Sequence, residues 1–123
     1  MTEDKSEETI RSSVTVMVSS MKDAIRFYTD TLGLKLKVNY GDNFAQVEGP
    51  GSVISLHPVT QNGPKAGDSE SLSIGFTVDD LDRTMNELRA KGVNFSRVSD
   101  DGQVRLAFFS DPDGNPLYLS QSK

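Results

Sequence analysis

"VMVSSMKDAIRFYTDTLGL", residues 16–34, and "FTVDDLDRTMNELRAKGV", residues 76–93, carry one pattern twice, matching at their apolar positions with a single gap before the glycine. In the first copy Val14, Val16 and Val18 alternate with Ser13, Thr15 and Met17, the period of two that marks a half-buried strand. Ser19 or Ser20 can then cap a helix whose apolar stripe is Ala24, Ile25, Tyr28 and Leu32, and Gly33 stands where that helix should stop. In the second copy Leu72, Ile74, Phe76 and Val78 alternate with small residues, Asp79 or Asp80 caps, and Leu81, Met85 and Leu88 form the stripe ahead of Gly92. Self-similarity at this spacing marks a repeated supersecondary unit.

The segments after the two helices agree as well. Residues 34–40, 44–48 and 53–57 read as three strands divided by "GDN" and "GPGS"; residues 93–98, 104–109 and 117–120 read as three more, the first pair joined by "DDG". Before the last strand, "DPDGN" is a turn: Pro112 presets φ, Asp111 and Asp113 can bond nearby backbone, and Gly114 accepts a left-handed conformation. The unit is therefore βαβββ. One helix per four strands can cover only one face of a sheet. The expected fold is α+β: two βαβββ repeats forming an open, barrel-like curved mixed sheet, with the helices on its outer face and a trough within. The expected boundaries are a disordered acidic tail over 1–10 and one domain over 11–123. Within it, repeat one covers 11–57, a Gly- and Pro-rich linker 58–70, and repeat two 71–121.

Composition narrows the function classes. With 123 residues the chain suits one core, and it has no cysteine, which excludes a disulfide framework, a thiolate metal site and a cysteine nucleophile. The formal net charge of −5 disfavours nucleic acid and anionic membrane as partners and favours a cationic ligand. No apolar run approaches the roughly 20 residues of a membrane span. The polar, acidic start lacks the marks of a secretory signal, so a cytoplasmic location is expected.

"VTVMVSSMKDAIRFYTDTLGLKL", "IGFTVDDLDRTMNELRAKGV" and "FFSDPDGNPLYL", in this order and covering nearly all of residues 11–120, resemble the vicinal oxygen chelate superfamily. That superfamily includes glyoxalase I, extradiol dioxygenases, and fosfomycin and bleomycin resistance proteins. The resemblance implies a metal held at four strand positions, which fall here on Ser13, Ser55, Ser73 and Tyr118, the last where "DPDGN" enzymes usually carry Glu. None is a carboxylate or imidazole, the donors such metals require. The expectation is a member without metal or other cofactor.

The candidate ligand-binding residues are Ser13, Met17, Ser55, His57, Ser73 and Tyr118; none is assigned a catalytic role. For His57, the only histidine, a solvated strand-end position stands beside a ligand contact or general base. Glu48, next to "GPG", reads as a turn residue. Phe108 and Phe109 are consecutive and point oppositely, one under a helix and one into the trough, with no sign of which.

The resulting expectation is a binding protein of the bleomycin-resistance type, linked to antibiotic resistance, that sequesters an organic molecule, cationic or aromatic, between repeats or subunits. The resemblance also implies a homodimer. The alternative is a glyoxalase-like lyase or isomerase, or a dioxygenase-like enzyme, using a displaced metal or His57 and Tyr118. Loss of all four ligands removes the electrophile on which that chemistry depends.

Overall fold

The computed structural model describes residues 12–68 and 71–122. The expected tail over 1–10 lies outside the described residues. Both repeats fold as βαβββ. The first comprises β1 (Val14–Val18), α1 (Met21–Arg26) continuing into a π-helical turn (Phe27–Thr31), β2 (Lys35–Asn39), β3 (Ala45–Gly49) and β4 (Ser52–Pro58). The second comprises β5 (Ile74–Thr77), α2 (Leu81–Ala90), β6 (Arg97–Asp100), β7 (Val104–Ser110) and β8 (Pro116–Ser122).

Each repeat forms its own four-stranded sheet, ordered β1-β4-β3-β2 and β5-β8-β7-β6. The outer pairs β1·β4 and β5·β8 are parallel and the others antiparallel. The sheets are curved but do not close into a barrel, and helices cover one side of them. Most of the apolar half of each alternation packs beneath the helices, while Val14 and Leu36 stay exposed. Val16, Val18, Val47, Ile54 and Leu56 meet Met21, Ala24 and Tyr28, while Ala107, Phe109, Leu117 and Leu119 meet Leu81, Met85 and Leu88, all within one hydrophobic cluster. Fully burying such side chains contributes about 1.5–3 kcal/mol each before entropy is counted, which is what holds each helix on its sheet.

Both helices begin where the polar residues predict. Ser20 accepts the Asp23 amide at 3.2 Å and Asp80 accepts the Arg83 amide at 3.0 Å, so the second of each candidate pair is the cap. The gap between the two copies has a local cause. Twelve residues separate Ser20 from Gly33, but eleven separate Asp80 from Gly92. The surplus residue is absorbed where Leu32 donates five residues back to the Phe27 carbonyl, at 3.0 Å.

Three expectations need correction. Residues 93–96 are not strand: Val93 is buried and bonds back to Leu88 O, and ladder pairing with β7 starts only at Arg97. Leu72 precedes β5 and is 70% exposed instead of alternating into the core. Glu48 is not a turn residue but lies within β3 opposite Lys35, with Lys37 Nζ at 3.8 Å.

Candidate functional site

The helix-free face of the first sheet carries the polar half of the alternation. Register sets Thr15 beside Ser55 and Met17 beside His57 across the parallel β1·β4 pair, and Gln46 beside Ser55 on the other side. Ser55 is only 3% exposed, and its hydroxyl accepts from Gln46 Nε2 at 3.0 Å. His57 Nδ1 lies 2.8 Å from the Pro58 carbonyl. A carbonyl can only accept, so this contact places the proton of the neutral ring on Nδ1 and leaves Nε2 as an acceptor.

On the second sheet the same face presents a cross-strand row. Arg97 on β6 pairs with Phe108 on β7, Phe108 with Tyr118 on β8, and Tyr118 with Gly75 on β5. The Arg97 guanidinium sits 4.5 Å from the Phe108 ring centroid, and the Phe108 and Tyr118 rings are 6.1 Å apart with planes tilted by 43°. Gly75 makes room for this arrangement: a Cβ there would overlap the Tyr118 ring. Phe109, by contrast, is buried against Phe95, so Phe108 is the outward ring of the pair.

A cleft of about 500 Å³ runs along β1 and the start of β5; Met17 and Ser73 line it together with Thr15, Leu72, Lys65 and Asn115. Of the six candidate residues, these two share the cleft. Ser55 and His57 lie one strand away on β4, Tyr118 belongs to the aromatic row, and Ser13 is exposed just before β1. Arg97 and Gly75 were not singled out by the sequence, because their significance appears only once strands are paired.

The "DPDGN" turn fixes one end of the cleft. The buried Asp111 carboxylate accepts from the Tyr28 hydroxyl at 2.8 Å, the Asp113 and Asn115 amides at 2.9 Å each, and Asn115 Nδ2 at 2.8 Å. Asn115 Nδ2 also reaches the Met17 carbonyl at 3.3 Å, and its Oδ1 accepts the Gly67 amide at 3.0 Å. Asp113 in turn accepts the Ser19 hydroxyl at 2.6 Å and the Ser19 amide at 3.1 Å. The closing turn of repeat two is thus bonded to β1, the start of α1 and the linker. Burial, and then the neighbouring Asp111 charge, push the Tyr28 phenol far above its ordinary pKa, so it stays a proton donor.

The residues at the four positions where the resemblance places a metal do not fit one. Ser13, Ser55 and Ser73 offer neutral hydroxyls, that of Ser55 already engaged by Gln46, and the Tyr118 ring stacks beside Phe108. Among the described residues, no group of three His, Cys, Asp or Glu side chains gathers where it could hold a metal ion. No helix among the described residues is long and apolar enough to cross a membrane.

Residues 11–119 match the model of the glyoxalase/bleomycin resistance protein/dioxygenase superfamily. The chain belongs to that superfamily. It is 30% identical, over 126 residues and 86% of each chain, to the probable lactoylglutathione lyase of Vibrio parahaemolyticus. Among solved structures, it resembles a superfamily member from Sphaerobacter thermophilus with a TM-score of 0.76 and 28% identity, over 94% of this chain and 98% of that one. It is similarly close to TnmS3, an antibiotic binding protein from Streptomyces sp. CB03234, with a TM-score of 0.70 and 29% identity, over 95% of this chain and 100% of that one.

Proposed function

We propose that this protein binds and sequesters a small organic molecule on the helix-free side of its sheets, without using a metal. The observation that carries the reading is the residue set at the four ligand positions, three serines and a tyrosine, which suits hydrogen bonding and ring packing but not a dication. The likeness to an antibiotic binding protein supports the same reading. Met17, His57, Ser73 and Tyr118 are the proposed contacts, with Ser13 at the margin and Ser55 tied to Gln46 across β3 and β4. The proposal includes a homodimer acting in the cytoplasm, with no nucleic-acid or membrane partner. Antibiotic resistance is its proposed physiological outcome.

A thermal-stability screen against aromatic and cationic compounds tests this, since a ligand that binds only the native state raises Tm; at 100 times Kd the stabilisation is about 2.7 kcal/mol. No shift across such a panel would overturn the proposal. Sedimentation over a range of concentrations tests the dimer, which a concentration-independent monomer would rule out.

A second reading, lyase activity, is supported by the 30% identity to a probable lactoylglutathione lyase. Turnover of the methylglyoxal–glutathione adduct after adding zinc, nickel or manganese would establish it in place of sequestration.

A further inference from the structure

The row Arg97–Phe108–Tyr118 contains groups that the fold itself does not use. The Arg97 side chain makes no hydrogen bond or ion pair among the described residues and lies against the face of Phe108. Arg105, on the opposite side of the same hairpin, shows the contrast: two of its nitrogens reach the Asp82 carboxylate, at 3.0 and 3.3 Å. The guanidinium on the helix side is committed, while the one on the helix-free side keeps its planar fork of donors available.

The one acid on the same side near Arg97 is Asp101, just past β6, and its carboxylate is taken up by the Gln103 and Val104 amides at 2.8 and 3.0 Å. By register, the helix-free face of this sheet holds Arg97 and Ser99 from β6; Val104, Leu106 and Phe108 from β7; and Tyr118 and Ser120 from β8. Gly75 and Thr77 complete it from β5. Arg97 is the only charged residue among those strand positions, although the whole chain carries a formal charge of −5.

We infer that this face takes a planar aromatic acid, its rings against Phe108 and Tyr118 and its carboxylate paired with Arg97. Strands spaced about 4.8 Å apart set the Arg97 and Tyr118 positions roughly 10 Å apart, the length of two fused rings bearing a carboxylate. An Arg–carboxylate pair supplies geometry and charge together, and the adjoining rings supply the apolar surface. Gly75 belongs to the same device, since its missing side chain lets the Tyr118 ring lie across β5. This inference rests on the small-molecule-binding reading and specifies the ligand class for it.

The test uses three probes that share one ring system: 2-naphthoate, 2-naphthalenemethanol and 2-naphthylmethylammonium. The protein has no tryptophan, so naphthyl emission can be followed directly, with Tm measured in parallel. Naphthoate should bind at least about tenfold tighter than the ammonium probe. Arg97→Gln should abolish that preference while leaving affinity for the neutral alcohol unchanged, and Phe108→Leu should weaken all three. The Tm of unliganded Arg97→Gln should fall only by the small amount that an exposed cation–π contact contributes. If the ammonium or the alcohol binds and naphthoate binds no tighter, or if Arg97→Gln leaves naphthoate affinity unchanged, the aromatic-acid inference falls while the binding reading stands. If none of the probes binds or raises Tm, the aromatic-acid inference falls, and the binding reading falls with it only when the wider aromatic and cationic panel also leaves Tm unchanged.

Discussion

The Tyr28 hydroxyl donates to the Asp111 carboxylate at 2.8 Å across 83 positions of sequence, and both groups are buried. This bond joins the helix of the first repeat to the closing turn of the second. Tyr28 of "RFYTD" supplies the donor and Asp111 of "DPDGN" the acceptor. Tyr28→Phe should lose about 1–2 kcal/mol of stability in urea unfolding, since Asp111 keeps three other donors. Asp111→Ala should lose more, about 3 kcal/mol, because it leaves a buried phenol without a partner and frees the turn. Equal losses for the two variants would show that the carboxylate has no organising role.

The same pair predicts alkaline sensitivity. In the unfolded chain Tyr28 ionises near pH 10, but in the folded chain burial and the Asp111 charge raise its pKa well beyond that. Above pH 10 the unfolded state has lost a proton that the native state retains. Stability contributed by the protonated phenol is complete below pH 10 and falls above it, by up to about 1.4 kcal/mol per pH unit. Urea midpoints between about pH 9 and 11 should therefore decline more steeply for the parent than for Tyr28→Phe. Parallel curves would contradict this.

Gly75→Ala tests the packing beneath the aromatic row. The new Cβ overlaps the Tyr118 ring, so the ring must leave or β5 must shift, at a cost of about 1–3 kcal/mol. In a Tyr118→Ala background the same substitution should be neutral or mildly stabilising, because alanine restricts an extended chain more than glycine does. A double-mutant cycle with no coupling energy would show that the two positions do not meet in solution.

His57 offers a spectroscopic test. With Nδ1–H bonded to the Pro58 carbonyl, the neutral ring should show the Nδ1-protonated pattern in long-range nitrogen–proton correlation spectra at about pH 8.5. As the only histidine, it gives an unambiguous signal. The opposite tautomer would remove Nε2 as the outward acceptor.

Residue by residue, the fold was more legible than the site. Alternation at Val16 and Val18 and the stripe Leu81, Met85, Leu88 report burial directly, because each depends only on local period, whereas Val14 at the open end of the same strand is exposed. Val93 and Phe95 misled for the same reason: they alternate like a strand, yet pack against the core without ladder partners. The orientation of Phe108 was recoverable in principle. "DPDGN" occupies 111–115, so a hairpin centred on Asp113 pairs residue 108 with residue 118 and puts both rings on one face. Arg97 required a second register, set by the loop between β6 and β7, whose length sequence leaves ambiguous. Ser55 carried a polarity that pointed to a pocket; its hydroxyl accepts from Gln46 within the sheet and keeps its own O–H to donate.

The π-helical turn at Phe27–Thr31 confines a phase error. One surplus residue in an ordinary helix would rotate everything after it by about 100°. Here the excess is taken up within a single widened turn, so the chain still leaves through Gly33 in the same left-handed state that ends the other repeat at Gly92. Two halves of one duplicated plan can thus differ in length without losing their common frame, and the tolerance lies in the helix, where a bulge is cheap. A residue gained within β1 or β4 would have no such refuge, for it would turn every later side chain of that strand from core to cleft.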